Sequence, residues 1–274
     1  MGSEPRTGGD LKGQVTRSAA EIYDGFFVPA LFRQWAPRMA EAARLAPGER
    51  VLDIACGTGV LAREAALRVA PGGAVVGLDR NVDMLAVAER RAPELEWRLG
   101  RAEALPFADA SFDAAVGQFG LMFFEDRIAA LREQWRVLKP GGRLAVAVWG
   151  ALEQSPGYAA MAALLRDLFG PRIANELRAP FALGDAAALR ALFDQAGIPG
   201  VEIESVAGEA RFPSIQAWVE TDVKGWTLAE LLDEAQYATL LREAEQRLAG
   251  FVQPGTGQVA FGIPAILATA TRPA

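Results

Sequence analysis

Between residues 50 and 149 the chain alternates short, largely apolar runs with stretches of helical periodicity, and that alternation leaves few folds open. The runs are 50–55, 74–78, 95–99, 114–118 and 143–149, with helical segments at 60–69, 82–91 and 128–138. A strand that is apolar on both faces must be covered on both faces. Repeated strand–helix–strand units of this kind predict a parallel sheet with helices on each side, an α/β, doubly wound architecture. Turns are predicted at Pro71-Gly72-Gly73 and at Lys139-Pro140-Gly141-Gly142, ahead of the second and fifth runs.

Outside this stretch the pattern changes. Residues 1–13 are rich in Gly, Pro and charge and are expected to be flexible. Residues 14–45 read as N-terminal helices, with Leu31, Trp35, Met39 and Ala43 on one face and Pro29 as the break between two helices. After residue 150, helices are predicted at 156–169 and 185–197, with Asp185 as N-cap, followed by strands at 201–212 and 259–269. Between those strands lies a helical insert, 213–257. Thr227-Leu228-Ala229-Glu230 reads there as a capping box, and Tyr237, Leu240, Leu241, Ala244 and Leu248 form one apolar face. The insert is either a cover for the sheet or a lid over a site. Residues 14–274 are thus expected to form a single domain.

Composition narrows the chemistry. The 274 residues are 51% hydrophobic and 23% charged, enough for a sizeable core. There is no histidine, which excludes Ser-His-Asp and Cys-His nucleophile systems and His-ligated metals. The single cysteine, Cys56, excludes an internal disulfide and a multi-cysteine zinc site; it reads as a small packing residue. The net charge of −6 argues against a general nucleic-acid binder. No signal peptide is recognisable, and the most apolar stretch, 144–152, is about half the roughly 20 residues of a membrane span. A cytoplasmic protein is expected, as a monomer or a dimer.

The chemistry-bearing segment is Val51-Leu52-Asp53-Ile54-Ala55-Cys56-Gly57-Thr58-Gly59-Val60-Leu61-Ala62, a buried strand running through a glycine turn into a helix. The glycines permit tight backbone geometry and close approach of a ligand to N–H groups at the helix start. Gly57, Gly59 and Ala62, with Asp79 further on, also fit a dinucleotide fingerprint. Asp53 favours a different ligand. A carboxylate inside a strand is costly unless something positive or several donors satisfy it, and a pyrophosphate nearby would worsen the cost. S-adenosylmethionine carries an ammonium and a sulfonium and no phosphate. The plainer role for Asp53 is to accept hydrogen bonds from the loop itself, and the two roles are compatible.

The same segment resembles the first motif of class I S-adenosylmethionine-dependent methyltransferases. The likeness continues through Val76-Gly77-Leu78-Asp79-Arg80-Asn81-Val82-Asp83-Met84-Leu85, through Ala102-Glu103-Ala104-Leu105-Pro106-Phe107 with Ser111-Phe112-Asp113, and into Arg136-Val137-Leu138-Lys139-Pro140-Gly141-Gly142. Together these motifs, spanning roughly residues 45–150, resemble the small-molecule branch typified by ubiquinone and menaquinone biosynthesis methyltransferases. The resemblance implies a Rossmann-like seven-stranded sheet, mostly parallel with one antiparallel strand. It implies S-adenosylmethionine as cofactor, with S-adenosylhomocysteine as product.

It also implies roles. Asp53 and the turn Ala55, Cys56, Gly57, Thr58 and Gly59 would face the methionine portion, Asp79 would accept from the ribose hydroxyls, and Arg80 and Met84 would flank the adenine. Ala102 and Glu103 would lie at the adenine edge, and Gln118, Phe119 and Gly120 near the reactive methyl. Arg101 departs from the pattern: it stands where the family often has an acidic residue for the adenine amino group, and it can stack but not accept.

The acceptor side is thinner. Tyr23 would either cover the cofactor or pack, and Trp149, Trp218 and Trp226 are candidates for a substrate pocket, with helix docking the alternative for the last two. Phe119, Met122, Phe123 and Phe124 read first as core. Methyl transfer from a sulfonium needs alignment and exclusion of water more than acid–base groups, so no catalytic residue and no metal ligand is nominated. Three readings stand: methyl transfer to a small apolar molecule, nicotinamide-dependent redox chemistry, and non-catalytic binding of S-adenosylmethionine.

Overall fold

The computed structural model describes residues 17–224, 228 and 231–274. Seven strands form the main sheet: β1 (Arg50–Ile54), β2 (Ala74–Asp79), β3 (Glu96–Leu99), β4 (Phe112–Gln118), β5 (Leu138–Trp149), β6 (Glu202–Val206) and β9 (Ala265–Thr271). Their order is β3-β2-β1-β4-β5-β9-β6. Strand β9 is antiparallel to both its neighbours and every other pairing is parallel. All five apolar runs of the first half are strands, and the central ones are buried along almost their whole length (Val51, Leu52, Ala114, Ala115, Val116, Leu144, Ala145).

The crossover helices fall where the periodicity puts them: α3 (Val60–Val69), α4 (Val82–Arg91) and α5 (Arg127–Arg136). Asn81 caps α4 by accepting from the Asp83 and Met84 N–H groups, and Asp185 caps α8 (Ala186–Ala196) by accepting from Ala188. The predicted turn at Lys139–Gly142 is instead part of β5: the register shifts between Phe112 and Ala114, and Gly141 takes a left-handed φ of 78°. A glycine at that φ lets the strand bulge and continue rather than stop.

Other boundaries moved for identifiable reasons. Pro29 does not separate two helices. After α1 (Arg17–Ile22) the chain widens into a π-helix, Tyr23–Phe32, and breaks only before α2 (Trp35–Ala42). The Arg33 N–H bonds the Val28 carbonyl five residues back, and this wider winding accommodates a proline that would clash with an ordinary helical turn.

The predicted strand 201–212 divides into β6 and β7 (Glu209–Phe212), and 259–269 divides into β8 (Val259–Gly262) and β9. Gly208 makes the first break, lying so close to the Trp35 ring that a Cβ there would collide with it. Pro264, which lacks an N–H, makes the second. β7 and β8 pair antiparallel as a separate two-stranded sheet. The helices α6 (Pro156–Phe169), α7 (Pro171–Arg178), α9 (Ile215–Lys224) and α10 (Glu234–Arg247) complete the chain. On α10, Leu240 and Ala244 are buried as expected, and the capping box is Asp233 with Gln236. The stretch 227–230 and the segments 1–13 and 14–16 lie wholly or mostly outside the described residues. Among the described residues no helix is long and apolar enough to cross a membrane.

Trp97 on β3 ties the first half together. Its indole N–H donates to the Ala92 carbonyl at 3.0 Å, and its ring lies over both Gly59 and Gly77, where an added Cβ would overlap it. Gly77 has ordinary strand geometry, so its lack of a side chain answers chiefly to the ring, with the Cys56 sulfur next at 3.1 Å from an added Cβ. Gly77→Ala is therefore expected to destabilise the fold by about 1–3 kcal/mol through overpacking. In a urea double-mutant cycle, Trp97→Leu should recover most of that loss; additive effects would break the assignment.

Candidate functional site

The sheet order reverses between β1 and β4, so the chain diverges there and leaves a crevice at the strands' carboxyl ends. Two non-glycine residues with left-handed backbone mark its floor: Ala55 after β1 (φ 56°) and Phe119 after β4 (φ 58°). Each such residue costs on the order of 1–2 kcal/mol, and strain of this kind concentrates at functional sites. Gly120 keeps the two strand ends close, since a Cβ there would stand 2.6 Å from the Ala55 Cβ.

Asp79 closes β2 and organises the crevice. One carboxylate oxygen accepts from the Gly57 N–H and the other from the Asn81 N–H, both at 2.8 Å. Burial raises its pKa, and the bonds from Asn81 and Gly57 pull it back down. The Arg80 N–H pulls it down as well, and with about four lone-pair sites the carboxylate keeps acceptor capacity for a ligand. Around it lie Ala55, Gly57, Leu78, Arg80, Met84 and Ala102, with Glu103, Gln118, Phe119 and Gly120 on the far side. The cleft encloses about 810 Å³ of empty space, part of it open to solvent. At its rim Glu125 pairs with Arg101 at 2.7 Å and with Arg80 at 3.5 Å, so both cations have a carboxylate partner.

A second, aromatic chamber adjoins the cleft and shares Tyr23, Phe119 and Phe123 with it. Phe119 stacks on Trp149 with ring centroids 3.7 Å apart, and Tyr23 stacks on Phe32 at 5.1 Å. Phe27, Phe181 and Leu177 add to the apolar wall, while Tyr158 and Asp222 bring polar atoms to it. The Tyr158 hydroxyl donates to Asp222 Oδ1 at 3.3 Å. The other oxygen, Oδ2, is buried and has no hydrogen-bond partner among the described residues.

Several sequence-predicted residues lie behind this surface. Asp53 is buried under the glycine turn. Burial pushes its pKa well up, the Ala62 N–H pulls it down, and its Oδ2 has no partner among the described residues. Cys56 and Thr58 are also buried, the thiol close to Gly77, and Gly59 faces Trp97. Arg101 points its charge to Glu125 and Glu103 rather than into the cleft. Trp218 is fully buried among Phe212, Tyr158 and Phe261 and packs α9 down, which is the helix-docking alternative. Trp226 lies outside the described residues.

Sequence reasoning missed Asn81 and Leu78 as wall residues, Phe123 as the shared wall, and Tyr158 and Asp222 altogether. The signal for Asp222 was present: it follows Ile215, Trp218 and Val219 at helical spacing, an acid on the apolar face of its helix. Among the described residues no cluster of acidic or Cys side chains is arranged to hold a metal ion.

The arrangement suits a ligand with positive charge and hydroxyls. Two buried carboxylates, Asp53 and Asp79, lie under or in the cleft, and a pyrophosphate would add charge of their own sign.

Comparison with known proteins agrees. Residues 52–146 match the methyltransferase domain family. The chain is 45% identical over 115 residues to demethylmenaquinone methyltransferase of Renibacterium salmoninarum, covering 42% of this chain and 47% of that protein. It is 41% identical over 145 residues to the ubiquinone/menaquinone biosynthesis C-methyltransferase UbiE of Stenotrophomonas maltophilia, covering 50% and 57%. It thus spans about half the length of the curated relatives it matches. In fold it is similar to Haemonchus contortus phosphoethanolamine N-methyltransferase 2 in complex with S-adenosyl-L-methionine, with a TM-score of 0.62, 18% identity, and coverage of 96% of this chain and 58% of that one.

Asp53, Asp79 and Asp222 all have pKa values raised by burial, Asp222 to about 8. A carboxyl whose folded pKa exceeds its unfolded one binds its proton more tightly when folded. Its contribution is complete below the ordinary carboxylate range near 4 and is lost as pH rises toward the folded value. Without ligand, the unfolding free energy is therefore expected to fall between pH 5 and pH 8, by about 1.4 kcal/mol per unit for each proton retained. Urea denaturation at pH 5, 6.5 and 8 reads this directly, and stability that is flat or rising over that range would contradict it.

Proposed function

Taking residues 52–146 as a class I S-adenosylmethionine-dependent methyltransferase domain, we propose that this chain methylates a small, flat, largely apolar acceptor by direct in-line transfer. The observation that carries the proposal is the wall common to the two cavities: Tyr23, Phe119 and Phe123 bound both the cleft around Asp79 and the aromatic chamber. A cofactor in one and an aromatic acceptor in the other would meet at that wall. When bound, S-adenosylmethionine supplies an electrophilic methyl carbon on a sulfonium whose leaving group departs neutral.

The protein's own work is then positional. Asp79 would hold the ribose hydroxyls with its remaining acceptor capacity while keeping the Gly57 and Asn81 N–H groups. Ala55 and Gly57 would flank the methionine portion, with the orphaned Asp53 oxygen behind them as an electrostatic partner for its ammonium. Met84 and Arg80 would cover the adenine. Glu103 accepts the Glu125 N–H at 3.0 Å with one oxygen, and it is the acceptor this reading assigns to the adenine amino group in place of Arg101. Tyr23, half-buried, with its phenol pKa driven up by desolvation first and then by Asp79, Asp24 and Asp53, would remain a neutral cover that excludes water.

The quinone-ring substrates named for the relatives support an aromatic acceptor, as do the rings that line the chamber. In this reading residues 14–274 are one domain, and the insert 213–257 acts as the lid, because α9 supplies Asp222 to the chamber. The net charge of −6 supports a small molecule over a nucleic acid, and the single cysteine supports a cytoplasmic enzyme.

Calorimetric titration with S-adenosylhomocysteine tests the first half of this reading. Micromolar binding is expected, at least about a hundredfold weaker in Asp79→Ala, since two hydrogen bonds to a charged acceptor are lost. Asp79→Asn, which preserves shape, should fall between. NADH, run in parallel, should not bind; tight NADH binding without S-adenosylhomocysteine binding would overturn the assignment.

A further inference from the structure

The segment 17–24 is fastened to the molecule differently from the chain that follows it. From Phe27 onward the π-helix belongs to the main core, where Phe27, Val28, Leu31 and Phe32 are all buried. Ala20 instead joins Met84 and Val87 of α4 in a small apolar cluster of its own, with Ala19 and Tyr23 packed against it. Two ion pairs hold the same face of α4: Glu21 with Arg90 at 3.0 Å and Asp24 with Arg91 at 2.6 Å. Asp24 is the buried member of the set. Burial lowers the pKa of Arg63 on α3 and the nearby Asp24 charge raises it, while the Arg63 guanidinium donates to the Thr58 carbonyl of the glycine turn at 2.6 Å. A buried carboxylate needs such cations, so Asp24 is satisfied only while the segment lies down on α3 and α4.

Gly25 separates the two modes of attachment. It sits inside the π-helix, exposed, outside the left-handed region, and a Cβ added to it would meet nothing within 4 Å. Neither backbone geometry nor packing therefore requires glycine there, and glycine is a poorer helix former than alanine because it gains more freedom when unwound. What it supplies is a point where the helix bends at little cost. Immediately before that point, Tyr23 reaches over the glycine turn, its ring 3.8 Å from where a Cβ on Gly57 would stand, and lines the cleft.

Resting on the reading of the cleft as the cofactor site, we propose that 17–24 is a flap that swings about Gly25, that Asp24 on Arg91 and Glu21 on Arg90 lock it shut, and that its opening admits and releases the cofactor. Asp24 is then a positioning residue: it touches no ligand and acts by holding Tyr23 over the turn. Because the lock is made within the chain, it slows entry and exit alike. Its two pairs differ in kind. The Glu21 pair is open to solvent and weak, whereas the Asp24 carboxylate has no water to replace Arg91 until the flap has lifted.

The test uses the full chain and S-adenosylhomocysteine, with association and release rates taken from stopped-flow tryptophan fluorescence. Asp24→Asn keeps the shape and removes the charge, and both rates should rise about tenfold. Gly25→Ala has room for its methyl and should slow both by about fivefold, the opposite direction, so general loosening of the fold cannot explain the pair of results. The exposed positions give the most direct reading. Glu21→Cys with Arg90→Cys, bridged by a short bismaleimide containing a disulfide, fixes the flap on α4. Both rates should fall at least about tenfold and recover when the bridge is reduced. Cys56 is buried, and unsubstituted protein treated alike is the control.

Bridged protein that binds and releases the ligand at the unbridged rates would overturn the flap, whether or not Asp24→Asn folds. Gly25→Ala that alters stability but neither rate would overturn the hinge. A faster release in Asp24→Asn with association unchanged would make Asp24 a determinant of affinity and overturn the lock. Failure of the unsubstituted chain to bind S-adenosylhomocysteine would overturn the cofactor reading itself, a result distinct from the others.

Discussion

The carboxylate of Asp79 holds two loops that would otherwise have no reason to stay together. Through 2.8 Å bonds it fixes the Gly57 N–H in the turn after β1 and the Asn81 N–H at the start of α4. Asn81 in turn caps α4, so the position of that helix and the shape of the glycine turn depend on one side chain. Buried carboxylates are tolerated when donors surround the charge, and here the donors are backbone groups that a ligand does not displace. The cleft is in this sense preorganised: the acceptor atoms are already oriented before anything binds.

On the other side of the cleft the same economy appears as strain balanced by packing. Phe119 is held at φ 58°, yet its ring stacks on Trp149 and packs against Phe32 and Trp35. Its amide donates to the Ala147 carbonyl at 2.9 Å. Aromatic contacts of this kind contribute about 0.5–1.5 kcal/mol each beyond their buried area, enough together to offset one left-handed residue. The consequence is spatial: the chain turns at Phe119 so that one ring faces two cavities at once.

What the sequence made legible divides along physical lines. The sheet followed from runs of apolar residues because burial on both faces leaves little freedom in composition; the glycine turn followed from the backbone geometry it requires, and Asp79 and Met84 from the resemblance to the methyltransferase motifs. Gly59 was legible in its tight backbone geometry, a left-handed φ of 81°, but its second reason was not: a Cβ there would overlap the ring of Trp97, 38 positions on, a contact no local pattern encodes. The breaks at Gly208 and Pro264 failed as strand interiors because a ring from α2 and a missing donor intervened. The aromatic chamber was least visible. Its walls come from the π-helical segment, from β5, α6, α7 and α9, whose side chains meet only after the sheet has formed.

Charge placement links these observations. The cations near the cleft, Arg80 and Arg101, are engaged by Glu125 at the rim, while Asp79 within the cleft and Asp53 beneath it face no cation there, and Asp53 Oδ2 has no hydrogen-bond partner among the described residues. A field of that sign lowers the free energy of a bound cation and raises that of a phosphate. It also makes the protein less stable without ligand as those carboxylates ionise, since each must lose its proton in a medium that solvates it poorly. Ligand binding and folding are thereby coupled through the same groups. A cation seated in the cleft beside Asp79 and above Asp53 favours the ionised form of both, so the stability lost in building a negative cleft returns as affinity for a positively charged ligand.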